Sequence, residues 1–419
     1  MTKKIHVLGG GTFSPIANHL SLCAPAFGAT AQQIVCELGG EGLSPYDHDY
    51  EVVETLTRMA GGASHLVTNE DVARHLEKLV EDPDTRCIVL NMALCDYDAV
   101  VDGKPGDFHG TRFRTADGPR SIDVTPAAKL IGSIRKVRKD ILVVGFKTTT
   151  GATSDEQYAT ALKALKRDSI NLMVANDTVT RNNMIVAPEE TRYAETTDRR
   201  AMLRRLVEIM LSRLENTFTR STVMEDAPSV SWADRRVPDS LRRVVDHLIA
   251  RGAYKPIDGK TAGHFAARID DRTILTSKRK QDFNRLAEIG LVQVEYDGFD
   301  KVVAYGAKPS VGGQSQRIVF QEHRDLDCIV HAHVPMRPDA PDASAIGTAE
   351  QWRVECGSHQ CGQQTSRNLR PVGGGIHAVM LDDHGPNVVF PRDADPDEVI
   401  AFIERNFDLT AKTGGLVPA

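Results

Sequence analysis

Several short segments in the first half of this chain have apolar centres with no alternation: Ile5–Leu8, Thr85–Met92, Ile141–Gly145 and Leu172–Ala175. A strand without an apolar/polar alternation must be covered on both faces. Between these segments lie helical patterns. Asp71–Leu79 has Val72, Leu76 and Leu79 at roughly helical spacing, and Pro126–Val137, Glu156–Lys166 and Arg199–Leu214 follow. Ala31–Leu38 fits helix or strand. Buried strands alternating with helices predict an α/β, Rossmann-like parallel sheet. Such sheets bind ligands at the carboxyl ends of their strands.

At 419 residues the chain exceeds what one hydrophobic core normally supports, so two domains are expected. Residues 1–218 form the first. Residues 219–237 lose periodicity and read as a linker. Residues 238–419 form the second, opened by a helix carrying Leu241, Val244, Val245, Leu248 and Ile249. Short strands are expected at Gly263–Ile269, Thr273–Thr276, Leu291–Tyr296, Val302–Ala304, Cys328–His333, Ala378–Leu381 and Val388–Phe390. Helices are expected at Ser315–His323 and Pro396–Asn406. This is an α/β pattern with a mostly antiparallel or mixed sheet.

The formal net charge of −6 argues against a general nucleic-acid binder or a membrane-surface protein. No apolar stretch approaches the ~20 residues of a membrane span. The residues from Met1 run straight into a strand with no signal-peptide apolar region, so a cytoplasmic location is expected. Seven scattered cysteines, including Cys87, Cys95 and Cys328 inside apolar strands, fit reduced thiols.

The chemistry concentrates at Asp327–Pro335, an apolar run containing His331-Ala332-His333. Residues two apart on a strand share a face, so both imidazoles point the same way. His384, at the end of Met380–Gly385, is the best third ligand. Three protein ligands with one open position is the pattern of a catalytic zinc. The plain alternative is a pair of strand-end histidines, one hydrogen-bonded and one solvated. Further on, Cys356, His359 and Cys361 crowd one loop. Their spacing is not that of a zinc knuckle, and a packing or substrate-lining role is favoured.

Read along its motifs, the second half resembles the class II aldolase/adducin family. Asp258–Arg268 is similar to the family's glycine-rich start, Ile274–Lys278 to its second phosphate-binding turn, and Lys308-Pro309-Ser310 to the segment before its helix. His331, His333 and His384 match its zinc histidines in type and order. The resemblance implies a divalent metal, zinc or another transition metal, stabilising an enediolate. It also implies a substrate phosphate held by Gly263, His264, Ser277, Lys278 and Ser310. One departure matters: the family's acid/base glutamate is absent from Pro309–Gln316, which leaves Glu322, His323 and Asp383 as candidates, with Glu322 and Asp383 expected to be catalytic.

The first half resembles the phosphopantothenoylcysteine synthetase family. The matching pieces are Pro15–His19, Ala93–Tyr97, Thr125–Ile131, Val144–Thr148 and Val174–Asp177. The resemblance implies CTP or ATP with Mg²⁺ activating a carboxylate. Asn18 would stabilise the acyl intermediate, Asp96 would lie near the nucleotide and its metal, and Phe146 would line the base pocket. Gly9, Gly10 and Gly11 would admit phosphates, with Asn176 at a neighbouring strand end. The family's glycine- and lysine-containing stretch after its Asn-His pair is replaced by Leu20–Gly28, so the acyl substrate is expected to differ from phosphopantothenate.

The combined expectation is an enzyme with a carboxylate-activating, synthetase-like domain fused to a metal-dependent aldolase-like lyase. Its substrate would be a phosphorylated or acidic small molecule. Both families self-associate, so a homo-oligomer is expected. The competing reading is a non-catalytic assembly protein. A dehydrogenase is disfavoured because no acidic residue stands at a second strand end about twenty residues after Gly11.

Overall fold

The uniformly apolar strands lie side by side in one sheet. The computed structural model describes residues 3–39, 50–298 and 301–414. The chain divides into two units, Met1–Ala187 with Tyr193–Leu214, and Pro188–Arg192 with Glu215–Ala419.

The first unit carries a seven-stranded sheet. Its strands run in the order Arg192–Thr196, Asn183–Val186, Leu172–Asp177, Leu142–Thr149, Thr85–Ala93, Lys3–Gly11 and Tyr50–Leu56. The last five are mutually parallel, and Asn183–Val186 runs antiparallel to its neighbour. Adjacent residues Val7 and Leu8 are both wholly buried although they face opposite sides. That requires cover on both faces. The helix Asn69–Glu81 buries Val72, Leu76, Leu79 and Val80, and opens with a capping box between Thr68 and Asp71. Ser154–Asp168 opens the same way from Thr153 and Glu156.

Two segments differ from expectation. Ala29–Gly39 resolves as helix. Pro126–Val137 does not: the helix spans only Ile131–Val137, and Asp123–Pro126 is an exposed strand paired with Tyr97–Val101. The ring of Pro126 pushes Thr125 toward extended backbone, which favours a strand at that point.

The second unit is built on a ten-stranded, mostly antiparallel sheet. The order is Arg220–Met224, Lys301–Tyr305, Val292–Tyr296, Thr273–Thr276, His264–Arg268, Cys328–His331, Gly385–Phe390, Ile376–Leu381 and Gly347–Ala349, with Arg370–Gly373 also on Ile376–Leu381. Arg220–Met224 falls where the sequence lacks periodicity. It is an edge strand pairing in parallel with Lys301–Tyr305, and Val223 is its one hydrophobic residue packed on the core. Helices Asp239–Ala250 and Pro396–Asn406 cover one face of the sheet. Among the described residues, no helix is long and apolar enough to cross a membrane.

Phe265, wholly buried, centres an aromatic cluster in this unit. Its ring centroid lies 5.7 Å from Trp232, 6.0 Å from Tyr254 and 5.1 Å from Phe283. Its strand neighbour His264 belongs to the site described below. Phe265→Ala is expected to cost about 3–5 kcal/mol, the range for emptying an aromatic core position. Urea denaturation checks this, and a loss under about 1 kcal/mol would contradict the packing.

Candidate metal centre

The register of the central strands assembles a cluster of buried imidazoles. His331 ends Cys328–His331 and pairs across to His264 on one side and Asn387 on the other. The rings of His264 and His331 stack at 4.8 Å. The strand stops at His331, so His333 sits in irregular backbone just before Val334-Pro335. His384 occupies a tight turn between Ile376–Leu381 and Gly385–Phe390. There Asp383 adopts a left-handed φ of 57° and Gly385 a φ of 142°. A Cβ on Gly385 would stand 2.1 Å from the Ala332 carbonyl oxygen. Only glycine lets this turn close onto the backbone beside His333.

The three imidazoles of His331, His333 and His384 are all buried, with potential ligand atoms within 4.8 Å of one another. Nε2 of His384 lies 3.2 Å from Nε2 of His331 and 3.1 Å from Nε2 of His333. The tautomers of two rings follow from their partners. His331 Nδ1 faces the Pro386 carbonyl at 2.8 Å, which can only accept, so Nδ1 carries the proton. His384 Nδ1 faces Gln351 Oε1 at 2.9 Å. The Gln351 amide is oriented by its own donation to the Val354 carbonyl at 2.7 Å. Both Nε2 atoms therefore present lone pairs to each other. Two lone pairs at this distance repel unless a proton or a metal cation lies between them. A proton is disfavoured: burial pushes His331 down to about 4, and burial with the neighbouring imidazoles pushes His384 well below its ordinary value. Tetrahedral zinc with bonds of about 2.0–2.1 Å places its ligand atoms about 3.3–3.4 Å apart, close to the spacing here. The residues fit a divalent transition metal.

Other groups hold these ligands. Thr413 donates its backbone N–H to the His333 carbonyl at 3.1 Å and its hydroxyl to the His384 carbonyl at 2.9 Å. Thr191 Oγ1 donates to the Asp383 carbonyl at 2.6 Å. Glu190 Oε2 lies 3.3 Å from His333 Nδ1 and contacts Lys412 Nζ. All three of these side chains are buried. Burial pushes the Lys412 ammonium down to about 8, and the touching carboxylate acts in the opposite sense. A small cavity beside the triad is lined by His264, His384, Gln316, Cys356, Cys361 and Asn387, among others.

The remaining residues singled out in the second half fall as follows. His264 joins the imidazole cluster, its Nδ1 against the Gln316 amide. Gly263 lets the chain pass the His331 carbonyl, which a Cβ would approach to 2.6 Å. Ser277 is wholly buried and Ser310 nearly so. Lys278 Nζ donates to the Ile289 carbonyl and to Ser229 Oγ. Glu322 and Asp383 are exposed, and neither lines the cavity. His359 Nε2 meets Thr219 Oγ1 at 2.8 Å. Residues 311–314 are a helical turn whose side chains lie outside the described residues.

In the first unit, Gly9–Gly11, Phe146 and Asn176 lie toward the carboxyl ends of parallel strands, and Asp96 follows another. The glycines have a packing reason of their own. Cβ atoms there would stand 2.4 Å from Ala31 Cβ, 2.2 Å from Thr57 Oγ1 and 2.0 Å from the Ala24 carbonyl, respectively. Asn18 is exposed in a turn, its amide oxygen 3.0 Å from His19 Nδ1. Asp96 pairs with Lys129, and Asn176 accepts from Thr148 Oγ1 at 3.3 Å.

Sequence reasoning missed Glu190, Lys412, Gln351 and Thr413 as neighbours of the triad. Glu190 had one signal, an acidic pair in Pro188-Glu189-Glu190-Thr191 directly after the buried Asn183–Ala187.

The metal-free protein should show the cost of neutral, buried imidazoles. His331 is depressed in the folded state, so between about 4 and the ordinary 6.5 the unfolded chain binds a proton that the folded chain does not. Stability therefore falls as pH drops through that window, by up to about 1.4 kcal/mol per pH unit for one group. Urea titrations of chelated wild type and His331→Gln at pH 6.5 and 4.5 should show the variant losing less. Parallel losses would contradict the burial argument.

Comparison with known proteins gives the following. Residues 252–395 match the family described as Class II Aldolase and Adducin N-terminal domain. A methylthioribulose-1-phosphate dehydratase of Stenotrophomonas maltophilia (strain R551-3) is 23% identical over 114 residues, 27% of this chain and 51% of that protein. The chain thus spans about half the length of this curated relative. Among solved structures, a DNA/pantothenate metabolism flavoprotein from Streptococcus pneumoniae aligns with TM-score 0.41 and 19% identity, covering 51% of this chain and 99% of that one. An L-fuculose 1-phosphate aldolase aligns with TM-score 0.30 and 18% identity, covering 41% and 82%. Over residues 252–395 the chain resembles the class II aldolase and adducin family.

Proposed function

We propose that the second unit is a metal-dependent lyase of the class II aldolase type. The observation that carries this reading is the set of buried imidazoles whose Nε2 atoms converge at 3.1–3.2 Å. A scaffold has no use for lone pairs held this close. His331, His333 and His384 would hold a divalent ion, zinc or a comparable transition metal, leaving a position for substrate. When bound, the ion supplies Lewis acidity toward negative charge developing on a substrate oxygen. The chain's own residues do the rest. Pro386 and Gln351 fix two imidazole tautomers through their Nδ1 atoms. Gln316, Cys356, Cys361 and Asn387 shape the adjoining cavity.

The substrate class follows from the resemblance: a phosphorylated or acidic small molecule with a carbonyl beside its breaking bond. Gly263, His264, Ser277, Lys278 and Ser310 are the proposed phosphate-side residues. His264, Ser277 and Ser310 are buried and Lys278 is already hydrogen-bonded, so a ligand there needs local rearrangement, or contacts backbone N–H groups instead. Glu322 and Asp383 remain the proposed proton-transfer residues; both are exposed and neither lines the cavity beside the triad.

For the first unit we propose a nucleotide-dependent, carboxylate-activating site using CTP or ATP with Mg²⁺. Asn18, Asp96, Phe146, Asn176 and Gly9–Gly11 would form it. The parallel strands bring most of these residues to the sheet edge where such folds bind ligands. A homo-oligomer in the cytoplasm is part of the same proposal.

The test pairs metal content with turnover. Purified protein should carry about one transition-metal ion per chain. It should cleave or dehydrate a member of a panel of phosphorylated ketoses and hydroxy acids. Chelation should remove at least about 100-fold of that rate, and zinc or cobalt should restore it. Turnover indifferent to chelation, or a protein that binds no transition metal, would overturn the lyase reading. Calorimetry of the full chain with CTP, ATP and NAD addresses the first unit, where binding of NAD alone would refute its assignment.

A further inference from the structure

A carboxylate beside the triad comes from outside the segment that the aldolase resemblance would nominate. Glu190 lies in Pro188–Arg192, a five-residue stretch whose chain neighbours on both sides belong to the first unit while it belongs to the second. Its side chain is 1% exposed. Oε2 stands 3.3 Å from Nδ1 of His333 and in contact with Lys412 Nζ. The stretch is tied down on both sides of the contact. Thr191 Oγ1 donates to the Asp383 carbonyl at 2.6 Å, and Arg192 Nε donates to the Gly414 carbonyl at 2.7 Å.

A carboxylate in this place completes a pattern begun by the other two ligands. Nδ1 of His331 faces a backbone carbonyl and Nδ1 of His384 faces an amide oxygen. His333 is the ligand whose Nδ1 faces a full negative charge. An acceptor on Nδ1 holds its proton there, turns Nε2 toward the centre and makes Nε2 more basic. The 3.3 Å approach is an ion-pair contact and not an aligned hydrogen bond, so it acts first through charge. Lys412 explains how the charge is tolerated at this depth: a buried carboxylate needs a partner.

We infer that Glu190 is a positioning residue of the metal centre, setting the orientation and donor strength of His333, with Lys412 as its counter-charge. Glu190 stands behind the imidazole, on the side away from the converging Nε2 atoms. It touches neither substrate nor metal and is not a replacement for the missing acid/base glutamate. The inference rests on the proposed metal site. It extends that site to a segment that the resemblance does not include.

The test is zinc affinity of the full chain by chelator competition, with the visible spectrum of the cobalt-substituted protein as a second readout. Glu190→Gln should fold, bind zinc about 10–100-fold more weakly and shift the cobalt bands. Arg192→Ala loosens the same stretch without altering the charge beside His333. It should stay within about threefold of wild type and keep the wild-type spectrum. If Glu190→Gln does not fold because Lys412 is left unpaired, the double variant Glu190→Gln with Lys412→Met removes both charges. It should then show the same weakening. Wild-type affinity in Glu190→Gln or in the double variant would overturn the inference while leaving the metal site intact. Equal weakening in Glu190→Gln and Arg192→Ala would also overturn it, reducing the carboxylate to packing. A wild-type protein that binds no zinc or cobalt would instead remove the proposed metal site itself.

Discussion

Lone-pair repulsion among buried imidazoles is the constraint around which the second unit is organised. The Nε2 atoms of His331 and His384 present lone pairs to each other at 3.2 Å, with Nε2 of His333 3.1 Å from that of His384, and a positive charge among them relieves that repulsion. Protonation is opposed by the same burial, and under the proposed function a metal cation takes that place. The surroundings are consistent with that demand. Strand pairing sets His331, a glycine turn delivers His384, and Thr413 ties the backbone of His333 to that of His384. Each device fixes a ligand before any ion arrives, so less ordering entropy is lost on binding.

The Glu190–Lys412 pair sharpens the electrostatics. Removing one member of a buried pair typically costs about 3–5 kcal/mol, because the other is left uncompensated. Such an arrangement is a poor way to gain stability, since an apolar pair would serve as well or better. Its position against Nδ1 of His333 gives it a use that an apolar pair lacks. The short Pro188–Arg192 stretch, outside residues 252–395, thus brings a carboxylate beside His333.

Much of this was legible in the sequence, for identifiable reasons. His331, His333 and His384 stand out because apolar strand residues precede them and because His384 is followed by a glycine. The parallel sheet was legible because adjacent residues such as Val7 and Leu8 are both apolar, which only two-sided burial explains. The sequence puts His264 among the phosphate-side residues because its pairing opposite His331 is a matter of strand register, invisible along one chain. Glu190 was missed because its partners lie in the other half of the chain, and a local pattern cannot report a contact of that range. Pro126 misled in the opposite direction: it suggested a helix start, yet its ring also favours the extended backbone that occurs. Arg220–Met224 escaped notice because an edge strand with one packed hydrophobic residue carries almost no periodicity.

The most direct test of the central claim is X-ray absorption spectroscopy on the purified, metal-loaded protein. The account predicts a first shell containing three imidazole nitrogens at about 2.0–2.1 Å, with the remaining position filled by an oxygen donor. Multiple scattering from imidazole rings should be lost in part when His384 is replaced by alanine. A shell dominated by sulfur would move the metal to the cysteines. A shell of oxygens alone would place it away from the histidines, and either result would contradict the account.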